Sequence, residues 1–137
     1  MKRVLVDTSA WLALSDQDDQ YHRRAMVIAD TLKVARTGLL ISPWVFAESL
    51  TVIRFRVNHA EARRFGQAIL DSRVAEFAPF DDKVFRRAWE IFKKYDDKDF
   101  SFVDCTSFAT MERLKLREAF AFDHHFEQYG FHLVGPT

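Results

Sequence analysis

Four carboxylates in this chain stand where a negative charge needs a reason. Asp7 breaks the apolar run "VLVDTSAWLAL" (4–14). Glu48, in "SPWVFAESL", follows Trp44 and Val45 by four and three residues and precedes Val52 by four, the spacing of a largely apolar helix face. Asp104 lies in "SFVDCTSFATM" and Asp123 closes "AFAFD". Singly, each acid has a structural use. Asp7 and Asp123 can cap following helices, Asp104 completes a Ser-x-x-Asp capping box with Ser101, and Glu48 can be a solvated helix residue. Together, four unpaired carboxylates would repel one another. No lysine or arginine recurs beside them at a matching spacing, so a divalent cation is the natural neutraliser. Carboxylates with few histidines favour a hard ion, Mg²⁺ or Mn²⁺, over zinc. A cation held this way serves phosphoryl chemistry, activating a water and stabilising the departing oxygen. Two ions about 3.5–4 Å apart would clamp both oxygens. The residues leave one or two ions open.

The elements that must position these acids alternate in type. "RVLV" (3–6), "LLIS" (39–42), "VAEFAPF" (74–80), "EAFAF" (118–122) and "FHLV" (131–134) predict five short strands. Between them come helices: one through "SAWLALS" (9–15), one over 21–38 closed by Gly38, and one from Ser42-Pro43 to about Val57. Asn58 with Glu61 opens another, Asp81 or Asp82 caps "KVFRRAWEIFKKY", and Ser101 caps the helix that carries Asp104. This pattern predicts an α/β fold: a mostly parallel central sheet of about five short strands flanked by helices on both faces, forming a single domain over 1–137. Such sheets bind ligands at the carboxyl ends of their strands, where strand order reverses. Asp7 and Asp123 each directly follow a strand, and Glu48 and Asp104 each sit in an early turn of a helix. If strands one and four flank the reversal, the two strand-end aspartates face each other across the crevice.

Composition narrows the function classes. Twenty basic and twenty acidic side chains give a formal net charge of zero, so global charge favours neither nucleic acid nor membrane. One cysteine, Cys105, excludes an internal disulfide and cysteine-based zinc or redox motifs, and fits a cytoplasmic location. Asp7 cuts the N-terminal apolar stretch below the length of a signal-peptide core or a membrane span.

The four motifs in this order and spacing resemble a PIN domain, and most closely the VapC-like toxins of VapBC toxin–antitoxin systems. The resemblance covers nearly the whole chain. It implies that Asp7, Glu48, Asp104 and Asp123 form the metal site, that Asp99 in "DKDFSFVD" is an additional acid, and that Ser9 or Thr8 supplies a hydroxyl supporting the first aspartate. It further implies a Mg²⁺- or Mn²⁺-dependent endoribonuclease, homodimerisation, and inhibition by a small cognate antitoxin. The antitoxin is expected to lay an amphipathic helix in a groove near the acids and present a basic side chain to them.

Around the acids, Arg54, Arg56, Arg63, Arg64, Arg86, Arg87, Lys93 and Lys94 offer local basic patches for RNA phosphates, or solvated helix faces. Arg54 and Arg86 are carried as phosphate contacts, as are His124 and His125 beside Asp123. Trp11 and Trp44 suit core packing better than base stacking, and Cys105, lacking a histidine partner, is expected to be a buried small side chain. Two other phosphate or metal sites fail on their own motifs. A haloacid-dehalogenase pattern wants an acid at position 9, which is Ser, and a von Willebrand-type metal motif wants a serine at position 11, which is Trp. The remaining competitors are a PIN-like scaffold that binds RNA or protein without cutting, and a PIN nuclease outside toxin–antitoxin systems.

Overall fold

A computed structural model describes residues 2–135; Met1, Pro136 and Thr137, at the ends of the expected domain, lie outside the described residues. The five strands are β1 (Arg3–Val6), β2 (Gly38–Ile41), β3 (Glu76–Phe77), β4 (Glu118–Phe120) and β5 (His132–Leu133). They form one sheet in the order β3-β2-β1-β4-β5, and every pairing is parallel. The order reverses between β1 and β4, where Leu5 pairs with Ala119 and Val6 with Phe120. The condition for bringing Asp7 and Asp123 together is therefore met.

Among the described residues, seven helices connect the strands: α1 (Thr8–Ser15), α2 (His22–Val34), α3 (Pro43–Arg56), α4 (His59–Leu70), α5 (Asp82–Lys94), α6 (Phe102–Leu114) and α7 (His125–Tyr129). Alternate strand residues bury against opposite layers. Val4, Val6, Ile41 and Phe120 pack with Trp11, Ile28, Ile53 and Phe65 of α1–α4. Leu5, Leu40 and Ala119 pack with Ile91, Phe108 and Phe126 of α5–α7. None of the helices among the described residues is long and apolar enough to cross a membrane.

The helix starts follow their capping chemistry. Ser42, Asn58, Asp81 and Ser101 each accept a backbone N–H from three residues on, at 3.1, 2.8, 3.1 and 2.9 Å. The expected box at Asn58 is only half made, because Glu61 turns instead to Arg64, at 3.2 Å. Several boundaries differ from expectation: β2 begins and ends one residue earlier than 39–42, and β5 keeps only His132 and Leu133 of 131–134. Gly38 does not close α2; Arg36 takes the left-handed conformation (φ 57°), and the Thr37 N–H reaches back to the Leu32 carbonyl at 2.9 Å, a Schellman closure. Gly38 is thereby free to begin β2, donating to the Lys2 carbonyl at 2.9 Å. The third strand keeps only Glu76 and Phe77 of the expected 74–80, since it is an edge strand and Pro79 has no N–H to extend a ladder. Residues 121 and 122 leave β4, and the short helix α7, which periodicity did not reveal, follows Asp123.

Candidate active site

Asp7 is the first residue beyond β1 and the N-cap of α1, and its Oδ2 accepts the Ser9 N–H at 3.1 Å and the Ser9 hydroxyl at 2.7 Å. The Ser9 Oγ in turn accepts the N–H of Phe122, just past β4, at 3.0 Å. One hydroxyl thus ties the end of β1 to the end of β4, and the Asp7 N–H, donating to the Phe120 carbonyl at 2.9 Å, extends the same pairing. Only 5% of Asp7 is exposed. Burial is the main reason its carboxyl is pushed up from 3.8 to about 6; the Ser9 hydrogen bonds oppose the shift, and the charges of Asp104 and Asp123 add to it.

Asp104 enters from the other layer. Its Oδ2 accepts the Ser101 N–H at 3.0 Å, while the Ser101 hydroxyl accepts the Asp104 N–H, so the capping box is complete in both directions. The same Oδ2 also accepts from His125 Nδ1 at 2.9 Å. Burial raises the Asp104 carboxyl above the usual range and the Asp123 charge pushes the same way, against the Ser101 and His125 hydrogen bonds. Asp123 closes the set: its Oδ1 accepts the His125 N–H at 2.8 Å and lies 2.9 Å from His125 Nδ1. The structural and functional readings of Asp7 and Asp104 are therefore compatible, because a cap occupies only one carboxylate oxygen. Among the described residues, Oδ1 of Asp7, Oδ1 of Asp104 and Oδ2 of Asp123 have no hydrogen-bond partner.

Glu48 is half-buried on α3 and has no hydrogen-bond or ion-pair partner among the described residues. Its neighbour Ser49 donates to the Thr8 hydroxyl at 3.3 Å, which docks this turn of α3 beside the residue after Asp7. Thr8 thus braces α3 against α1, while Ser9 touches the Asp7 carboxylate. Asp99 is exposed and makes no bond to the cluster. His124 is exposed, 4.0 Å from Asp123. Arg54 is exposed, and Arg86 is paired with Asp82 at 2.6 Å.

A divalent cation is the group such a donor set fits. Three carboxylates from the ends of β1 and β4 and the first turn of α6 are each held through one oxygen with no hydrogen-bond partner on the other among the described residues, and the like charges of Asp104 and Asp123 on Asp7, and of Asp123 on Asp104, would be relieved by a cation. Cys105 offers no competing chemistry. Burial first, and the Asp104 charge second, push its thiol up to about 11.

The PIN domain model matches residues 4–132. The chain belongs to the PIN domain family. This PIN domain is 34% identical over 134 residues to a Mycobacterium tuberculosis protein named 23S rRNA-specific endonuclease VapC20, covering 97% of this chain and 98% of the relative. It is 28% identical over 116 residues to a protein named VapC ribonuclease from Archaeoglobus fulgidus, covering 83% of this chain and 73% of that one. The crystal structure of Mycobacterium tuberculosis VapC20, described as a sarcin-ricin loop cleaving toxin, superposes with a TM-score of 0.86 at 32% identity over 97% of this chain and 99% of the other. A VapBC2 complex from Rickettsia felis shares the PIN fold, with a TM-score of 0.72 at 10% identity over 96% of this chain and 97% of that one.

The bridge made by His125 is the feature of the site that sequence reasoning missed. Only its local half had a sequence signal: Asp123-x-His125 ahead of the apolar Phe126 is the pattern of a side chain capping its own turn, whereas the contact with Asp104 has none.

Proposed function

We propose that this chain is a Mg²⁺- or Mn²⁺-dependent endoribonuclease of the cytosol and the toxin of a toxin–antitoxin pair. The observation that carries the reading is the set of three clamped aspartates at the strand-order reversal, each with an unbonded oxygen. Asp7, Asp104 and Asp123 would hold the cation, with Glu48 completing the site from α3. When bound, the cation supplies charge neutralisation at the scissile phosphate and lowers the pKa of an attacking water. The protein's part is to fix the acids before substrate arrives: Ser9 orients Asp7, and the α6 backbone orients Asp104. Glu48, with no hydrogen-bond or ion-pair partner among the described residues, would be available to accept a proton from an incoming water. Arg54 is free to meet substrate phosphate, whereas Arg86 must first leave Asp82. The similarity to VapC20 points to ribosomal RNA as the substrate class.

The test is cleavage of a structured RNA by purified protein with Mn²⁺ or Mg²⁺. Chelation, Asp7→Asn and Asp104→Asn should each abolish cleavage. Cleavage that survives both substitutions removes these acids from the mechanism, and intact metal binding with no cleavage of any RNA favours a binding scaffold.

Two surfaces support the expected partners. Phe80, Phe85, Trp89 and Phe92 are 41–58% exposed and connect through ring contacts with Trp44 and Phe102, an apolar patch of the kind that covers itself in a homodimer. A cleft of about 1150 Å³ between α1, α2 and α4, lined by Trp11, Leu14, His22, Met26 and Phe65, has room for the helix of an antitoxin, but none of Asp7, Glu48, Asp104 and Asp123 lines it, so a helix seated there differs from the expected one laid beside the acids. The Trp11 indole N–H in its wall has no acceptor among the described residues. A monomeric mass in solution would count against the first assignment, and an antitoxin complex with this cleft empty against the second.

A further inference from the structure

His125 was expected from sequence to contact substrate phosphate, but its surroundings give it a different task. Its Nδ1 lies 2.9 Å from Asp104 Oδ2 and 2.9 Å from Asp123 Oδ1. Both neighbours are carboxylates, which accept when ionised, so the Nδ1-protonated tautomer fits this position: the ring hydrogen-bonds to Asp104 Oδ2 and stands at ion-pair distance from Asp123 Oδ1. The imidazole is held in place from three sides. Its backbone N–H is bonded to Asp123 Oδ1 at 2.8 Å, its ring stands edge-on to Phe100 with centroids 5.6 Å apart, and only 17% of the side chain is exposed. Phe100 is itself packed against Phe108 in the core, at 5.0 Å. His124, 72% exposed and 4.0 Å from Asp123, is not positioned to replace it.

Without His125, Asp104 on α6 and Asp123 on the turn after β4 would be two repelling carboxylates with no group touching both. The oxygens it binds are those already committed to protein contacts, and Oδ1 of Asp104 and Oδ2 of Asp123 remain unbonded. Imidazole and cation can therefore be held together. We propose that His125 is a positioning residue, which fixes the separation and orientation of Asp104 and Asp123 through Nδ1 so that the pair is already set when a divalent cation binds. The inference rests on the metal-site reading above. Groups that orient ligating carboxylates from outside the coordination shell govern metal affinity by about 10–100-fold.

The three-residue group Asp123, His124 and His125, whose ligand atoms lie within 4.8 Å of one another, poses the competing assignment, in which the histidines are themselves ligands. The choice of replacement separates the two. The amide nitrogen of Asn falls near the place of imidazole Nδ1, whereas that of Gln falls near Nε2. Mn²⁺ affinity of chelator-stripped protein, read by titration calorimetry, is the measurement, with RNA cleavage and a thermal melt recorded for each variant. His125→Leu should weaken Mn²⁺ binding about 10–100-fold, and His125→Gln should behave like it. His125→Asn should stay close to the parent. Undiminished affinity in the Leu variant, or Gln outperforming Asn, overturns the proposal. If the Leu variant does not fold, the ranking of Asn against Gln decides alone. Absence of Mn²⁺ binding by the parent protein would instead overturn the metal-site reading itself.

Discussion

Asp7→Asn should do two opposite things, stabilising the metal-free protein while ending its activity. The buried Asp7 carboxyl is pushed up to about 6 from an ordinary 3.8. Its folded pKa lies above its unfolded one, so between those values the folded state binds the extra proton and stability falls as pH rises. Below about pH 4 the group is neutral in both states and costs nothing; above pH 6 the full penalty is present. Two units correspond to about 3 kcal/mol, a ceiling for what neutralising this side chain can recover. Asparagine keeps an oxygen to accept the Ser9 N–H and hydroxyl, so the cap and the Ser9 link to Phe122 survive the change. The assay is urea unfolding in chelator across pH 4–8. The variant should match the parent at the acid end and exceed it by about 1–3 kcal/mol at pH 7 and above. Saturating Mn²⁺ should reverse the ranking, because only the parent gains stability by binding it. A variant that is less stable at pH 7.5 in chelator, or whose advantage does not change with pH, would refute the argument from burial.

Three further outcomes follow from other contacts. Cys105→Ala should leave RNA cleavage unchanged, and the parent thiol should react slowly with iodoacetamide at pH 8, since burial holds it protonated up to about 11. Ser101→Ala should cost about 1 kcal/mol in chemical denaturation through the lost cap. It should reduce cleavage far less than Asp104→Asn, because the backbone N–H of residue 101 and His125 still hold the carboxylate. Tyr129→Phe removes the hydroxyl that donates to Glu112 at 2.7 Å beside the Arg87–Glu112 pair; with these groups partly exposed, the loss should be under about 1 kcal/mol by thermal melt.

The acids were legible because each sits against a strong local pattern. A charge ending an apolar strand, or set into an apolar helix face, is visible in one dimension, and strand-helix alternation then assigns all of them to one edge of the sheet. What closes α2 was not legible, because Gly38 is the better left-handed residue by intrinsic preference, and only the pairing of Gly38 with Lys2 in the sheet explains why Arg36 takes that conformation instead. The length of β3 was hidden for a related reason: "VAEFAPF" is apolar almost throughout, but an edge position and Pro79 limit how much of it pairs. The role of His125 was out of reach because α7 is five residues long, too short for a periodic signal, and because the bridge depends on α6 and β4 meeting in space.

The direct pairing of β1 with β4 also sets when in its life this protein can act. Ser9 and Phe122, whose bond locks the first acid in place, are 113 residues apart, and Asp123 and His125 come later still. A growing polypeptide holds Asp7 and Glu48 from early in synthesis, yet the proposed metal site lacks Asp104 and Asp123 until α6 and β4 have emerged and β4 has paired with β1. For an enzyme proposed to cut RNA, a copy that has not yet grown as far as α6 would lack two of its four candidate acids.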